Sequence, residues 1–100
     1  MLFLVISTPA PTPPSSVRDK RQLYWKWVQP LRDDGTVRAI YARIGRGAVA
    51  LFDVDTLQTL HQRLNEWADI IPATFEIHPL LDVDAAQAFL TTNAQGSQAG

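Results

Sequence analysis

The strongest constraint on folding lies at the start of the chain. Leu2 to Ser7, "LFLVIS", is a continuous apolar run, and "TPAPTPP" (Thr8 to Pro14) ends it with four prolines. A strand that is apolar at successive positions, and not merely at alternate ones, is one that needs cover on both faces. Proline cannot continue a ladder, so the strand stops and an extended connector begins. Strand and helix signals flank the prolines directly, which favours a stiff connector over a proline-rich partner motif. "MLFLVIS" is too short to span a membrane and lacks the positive flank of a signal peptide, so it reads as a strand of a soluble, cytoplasmic protein.

The rest of the chain must supply neighbours for this strand. Ser15 or Ser16 is a candidate N-cap, with Asp19 placed to help the first turn. Val17, Leu23, Tyr24, Trp27, Val28 and Leu31 then follow helical spacing. Pro30 predicts a kink or an end near Gln29, and Gly35 closes the segment. "TVRAIYARI" (Thr36 to Ile44) and "AVALFDV" (Ala48 to Val54) are rich in β-formers and flank "GRG", which predicts a hairpin. Asp55 is the expected cap of a second helix, whose stripe Leu57, Leu60, Leu64 and Trp67 is the clearest amphipathic pattern in the chain. Ala73 to Leu81 reads as the last strand, with Pro79 expected to end its regular pairing. Asp82 to Leu90 reads as a short helix capped by Asp82 or Asp84. Residues 1–90 form a single domain in this reading, and the small polar tail 91–100 is expected to be disordered.

The order β-α-β-β-α-β predicts an α+β, ferredoxin-like fold: a four-stranded antiparallel sheet with two helices on one face. The other sheet face then needs a partner. Leu2 to Ile6 are apolar on both sides, and three tryptophans and four phenylalanines are generous for a core of this size. A homodimer, or a higher oligomer built from dimers, with sheets packed face to face is therefore expected. Net charge is −1, so nothing draws the chain toward nucleic acid or an anionic membrane. There are no cysteines, which excludes disulfides and thiolate metal sites. His61 and His78 alone do not make a metal site, so no metal is expected.

Three stretches resemble the muconolactone δ-isomerase-like proteins: "MLFLVIS", "GTVRAIYARIGRGAVALFDVDTLQTLHQRL" and "FEIHPLLDVDAA". The resemblance is strongest at Leu51 to Leu64, where a strand ending in F-D-V leads into a helix carrying L-H. It implies a dimeric α+β barrel and a cofactor-free isomerase that moves a proton on a small unsaturated, oxygenated molecule such as a lactone. Two stretches differ from the isomerase. Its first helix carries acidic residues where this chain has "RDKRQLYWKW" (Arg18 to Trp27), and "ADIIPATF" (Ala68 to Phe75) is shorter.

Such chemistry needs an acid, a base and a donor for a developing enolate. Glu76 and His78, two residues apart in the last strand, share a face that looks toward a second sheet or a cavity beside it; they are the candidate acid/base couple, the alternative being a polar pair that lines the dimer interface or its rim and fixes register. Tyr41 and Arg43 share a face of the hairpin, with Arg38 on the opposite one; these are candidates to donate to and orient a substrate. Trp25 and Trp27 point in different directions on a helix, so one enters the core while the other covers a ligand or a second subunit. Arg46 in the turn and His61 on the second helix read as structural. The alternative function is a non-catalytic small-ligand-binding or assembly protein on the same scaffold, with the space filled by Trp25, Trp27 and Phe75.

Overall fold

The computed structural model describes residues 1–89, so Leu90 and the tail expected at 91–100 lie outside the described residues. The strands β1 (Leu2–Pro9), β2 (Val37–Ala42), β3 (Ala48–Asp53) and β4 (Ala73–Leu80) form one sheet in the order β2-β3-β1-β4, and every neighbouring pair is antiparallel. Each crossover helix, α1 (Arg18–Asp33) and α2 (Leu57–Ile70), skips one strand, which is the ferredoxin-like arrangement. A third helix, α3, covers 83–89.

β1 alternates half-buried and buried positions, with Phe3, Val5 and Ser7 buried toward the helices and Leu2, Leu4 and Ile6 half-buried on the other face. Cross-strand register extends both faces. One row on the open face joins Tyr41, Val49, Ile6 and Glu76, and the next joins Leu51, Leu4 and His78. The helix side holds Phe52 opposite Phe3 and Ala50 opposite Val5.

Local details depart from the sequence expectation for identifiable reasons. Ser15 and Ser16 do not cap α1, because the chain enters it through a 3-10 turn, Pro14–Val17, in which Ser16 N–H already donates to Pro13 O at 3.0 Å. Pro30 does not end α1. It falls in the last turn, where Leu31 is buried and Asp34 N–H donates back to Pro30 O at 3.0 Å. Leu23 and Leu57 lie off the buried stripes, which are Tyr24, Val28 and Leu31 on α1 and Leu60, Leu64 and Trp67 on α2. Thr56, not Asp55, caps α2, its Oγ1 accepting from Thr59 N–H at 3.1 Å. Pro79 stays in the ladder opposite Phe3, since β4 is a sheet edge, where proline is tolerated. Asp82 caps α3, its Oδ1 accepting from Asp84 N–H at 2.8 Å.

The core is aromatic. Trp67, 3% exposed, touches Tyr24 (ring centroids 4.9 Å apart), Phe75 (5.2 Å), Trp27 (6.2 Å) and Phe52 (6.3 Å). The Trp27 indole N–H donates to Glu66 Oε1 at 3.0 Å and ties α1 to α2. That bond, with the Arg63 guanidinium beside it, holds the Glu66 carboxyl below the usual carboxylate range.

The β2–β3 turn packs tightly on the end of β1. Gly47 adopts φ +98°, and a Cβ there would stand 2.3 Å from Ser7 O. Gly47→Ala is therefore expected to lower stability by about 1–3 kcal/mol, read by thermal or chemical denaturation. Unchanged melting would show that the turn does not depend on this close approach.

Candidate functional site

Between the helix layer and one end of the sheet lies a cavity of about 150 Å³, a size at which protein cavities admit a benzene-sized ring. Its floor is Ser7, Ile40, Ala42 and Ala48 on the strands. Its wall on α1 is Arg21, Tyr24 and Trp25; Trp67 and Ile71 close it from α2, and the turn contributes Arg43 and Arg46. The cavity exists because small side chains meet large ones. Alanines 42 and 48 leave space at the strand ends that the aromatics of α1 and α2 overhang without filling.

Tyr24 is the unusual group. It is 5% exposed, and its hydroxyl is buried with no hydrogen-bond partner among the described residues. An unsatisfied buried hydroxyl costs about 1–3 kcal/mol. Burial pushes its pKa up, so the phenol stays neutral and acts as a proton-bearing donor rather than a base. Ser7 is the contrary case: its Oγ accepts from Ala48 N–H at 2.9 Å and donates to Ala48 O at 3.3 Å, so the hydroxyl serves the sheet.

Two arginines of the turn differ in how firmly they are held. Arg43 Nη1 donates to Ser7 O at 2.9 Å and reaches Thr8 Oγ1 at 3.4 Å. Arg46 Nη1 donates to Thr12 O and, at 3.5 Å, to Ala10 O, pinning the proline-rich connector. The side chain of Arg21 on α1 has no hydrogen bond or ion pair among the described residues.

The residues singled out from the sequence divide between the two faces of the sheet. Trp25, half-exposed, and Arg43 line the cavity. Tyr41 does not; it is 70% exposed on the open face, and the chain turns after Ala42, so Arg43 parts from it. Arg38 sits in a bulge between Val37 and Ala39, which breaks the alternation, and its Nε donates to Asp53 Oδ2 at 2.8 Å. That ion pair holds the Asp53 carboxyl below its ordinary pKa. Trp27 is in the core contact described above and does not line the cavity.

Glu76 and His78 were expected to face away from the helices, toward a second sheet or a cavity beside it. They lie on the open face, opposite the one that carries the cavity, paired with each other through His78 Nε2 and Glu76 Oε2 at 2.7 Å. Both side chains are at least half exposed in the single chain, at 50% and 65%. The period-two argument correctly put them on one face; which face holds a cavity depends on where the helices pack. Tyr24 and Arg21 were not singled out from the sequence as site residues, and Arg46, read there as structural, both lines the cavity and holds the connector. For Tyr24 a signal existed: it is a hydroxyl-bearing residue on an otherwise apolar stripe.

Solved structures share this fold. A 5-chloro-2-hydroxyhydroquinone dehydrochlorinase from Burkholderia phenoliruptrix AC1100, in complex with 2,5-dihydroxybenzoquinone, superposes with a TM-score of 0.68 at 12% identity, covering 85% of this chain and 98% of the other. A muconolactone isomerase superposes with a TM-score of 0.65 at 24% identity, covering 82% of this chain and 90% of the other. The ferredoxin-like fold and the likeness to muconolactone isomerase expected from the sequence are thus found in the structure. No curated protein sequence matches the chain. No described helix is long and apolar enough to cross a membrane. Residues 1–94 match the family described as Domain of unknown function (DUF3303), and the chain belongs to that family.

Proposed function

We propose that the chain binds a small unsaturated, oxygenated molecule in the cavity and acts on it as a cofactor-independent isomerase-type enzyme. The observation that carries this reading is a ring-sized cavity walled in part by Tyr24, a residue whose hydroxyl is buried with no hydrogen-bond partner among the described residues. A ligand carbonyl or enol oxygen supplies the acceptor that the protein lacks there. As a proton leaves the carbon beside that carbonyl, charge develops on the oxygen, and a preplaced donor in a dry site stabilises it. Arg43 is placed to orient a second oxygen through the nitrogens that its bonds to β1 leave free. Ring-like substrates suit the flanking Trp25 and Trp67 faces. The neighbours named for a dehydrochlorinase and a lactone isomerase are consistent with such substrates.

The second reading is a non-catalytic ligand-binding or assembly protein. One observation favours it: among the described residues no carboxylate or imidazole lines the cavity, so none of them stands there as an ordinary general base. For the enzyme reading, water carries the proton and the protein supplies the electrophile.

A thermal-shift series with lactones, dienoic acids and hydroxyquinones tests the binding step, and an absorbance assay of the same compounds tests turnover. A ligand is expected to raise the melting temperature with concentration. Tyr24→Phe is expected to lose that shift while melting at or above the wild-type temperature, because removing an unsatisfied hydroxyl returns up to about 1 kcal/mol. An equal ligand shift in Tyr24→Phe would remove Tyr24 from the site. Binding without turnover would favour the second reading.

The open sheet face joins this proposal as a homodimer interface. Leu4, Ile6, Val49 and Leu51 form its half-buried apolar centre, with the Arg38–Asp53 and Glu76–His78 pairs at its edges. Both edge pairs combine opposite ionisable partners, which suits a second copy of the same face better than a strongly charged partner. Glu76 and His78 then act as a polar rim that sets register. Leu4→Glu is expected to give a monomer in sedimentation velocity where the wild type sediments as a dimer or larger. A monomeric wild type would end the dimer proposal.

A further inference from the structure

Beside the cavity lies a second concave surface. This surface groove, lined by Pro14, Ser15, Arg18, Arg21, Gln22 and Trp25, adjoins the cavity, for the two share Pro14, Arg21 and Trp25. Among the described residues, cavity and groove together are lined by four arginines, 18, 21, 43 and 46, and by no aspartate or glutamate. This is unexpected in a chain with net charge −1. Elsewhere the described arginines of the sheet and α2 are matched: Arg38 pairs with Asp53 and Arg63 with Glu66. The side chains of Arg18 and Arg21 have no hydrogen bond or ion pair among the described residues. Four like charges around one cleft repel one another, and a bound anion relieves that cost.

The positions also set a direction. Tyr24 and Trp67 are buried at the inner end, Trp25 and Arg21 are common to both spaces, and Arg18 belongs to the outer groove alone. We infer that the ligand is an anion of two parts, a ring seated in the cavity against Tyr24 and a side chain that leaves past Trp25 to place a carboxylate between Arg21 and Arg18. Planar guanidinium groups suit a carboxylate better than a point charge does. This inference rests on the cavity reading above and adds the charge of the ligand and the path of its side chain.

Isothermal titration with three probes tests it: para-hydroxyphenylpropanoate, its neutral methyl ester, and para-hydroxybenzoate, whose carboxylate is too near the ring to reach Arg18. The wild type is expected to bind the propanoate about tenfold more tightly than either other probe, a difference of about 1.4 kcal/mol. Added salt should weaken the propanoate and spare the ester. Arg18→Gln is an exposed, unpartnered position, so the variant should fold normally and bind the propanoate no better than para-hydroxybenzoate. Arg21→Gln should weaken both acids. Equal wild-type affinity for propanoate and ester would overturn the inference and leave the cavity reading standing. A propanoate advantage that survives in Arg18→Gln would overturn the outward path. No binding by any of the three, the ring included, would overturn the cavity reading and this inference with it.

Discussion

Trp67 is the contact on which the architecture depends. Its indole, nearly fully buried, touches rings from α1 (Tyr24 and Trp27), β3 (Phe52) and β4 (Phe75). A small domain has little apolar surface to bury, so a few large side chains supply much of its stability. Positions of this kind are those where truncation costs about 3–5 kcal/mol. The same ring helps to close the cavity. Core and site are therefore not separate regions: the cavity is where the aromatic layer meets the alanines of the strand ends and stops filling space.

One sheet thus serves two purposes. Its helix-facing side carries the core and, at one end, the cavity. Its open side carries a half-buried apolar centre with the Arg38–Asp53 ion pair and the Glu76–His78 hydrogen bond at the rim. The cost of keeping Tyr24 buried without a partner falls on the helix-facing side, and a structure that needed only stability would carry phenylalanine at that position. Local rules are expected to fail at sites of function, and an orphaned phenol on the wall of a cavity is such a failure.

Much of this was legible in the chain itself. The apolar run Leu2 to Ser7, the hairpin around "GRG" and the Leu60/Leu64/Trp67 stripe each announce an element through a period that backbone geometry imposes. Their order leaves few sheets to choose from. The misses were local and physical. Pro30 was tolerated because it sits in a final turn anchored by Leu31, and Thr56 displaced Asp55 because its hydroxyl reaches the Thr59 amide. Trp25 and Arg43, singled out by residue type, line the cavity. Tyr24 and Arg21 line it too but were not singled out, since nothing in their spacing tells which helical residue overhangs a gap.

The sequence alone determined the elements, their order and the two-faced character of each strand, because these follow from periodicity and from where proline and glycine permit the chain to turn. It also determined that Glu76 and His78 would share a face. Only the tertiary structure decided that the cavity lies on the other face, that Arg43 parts from Tyr41, and that four distant arginines converge on one cleft. The reason is the same in each case. Which face a strand presents is a local matter, but what stands opposite that face is set by helices from elsewhere in the chain.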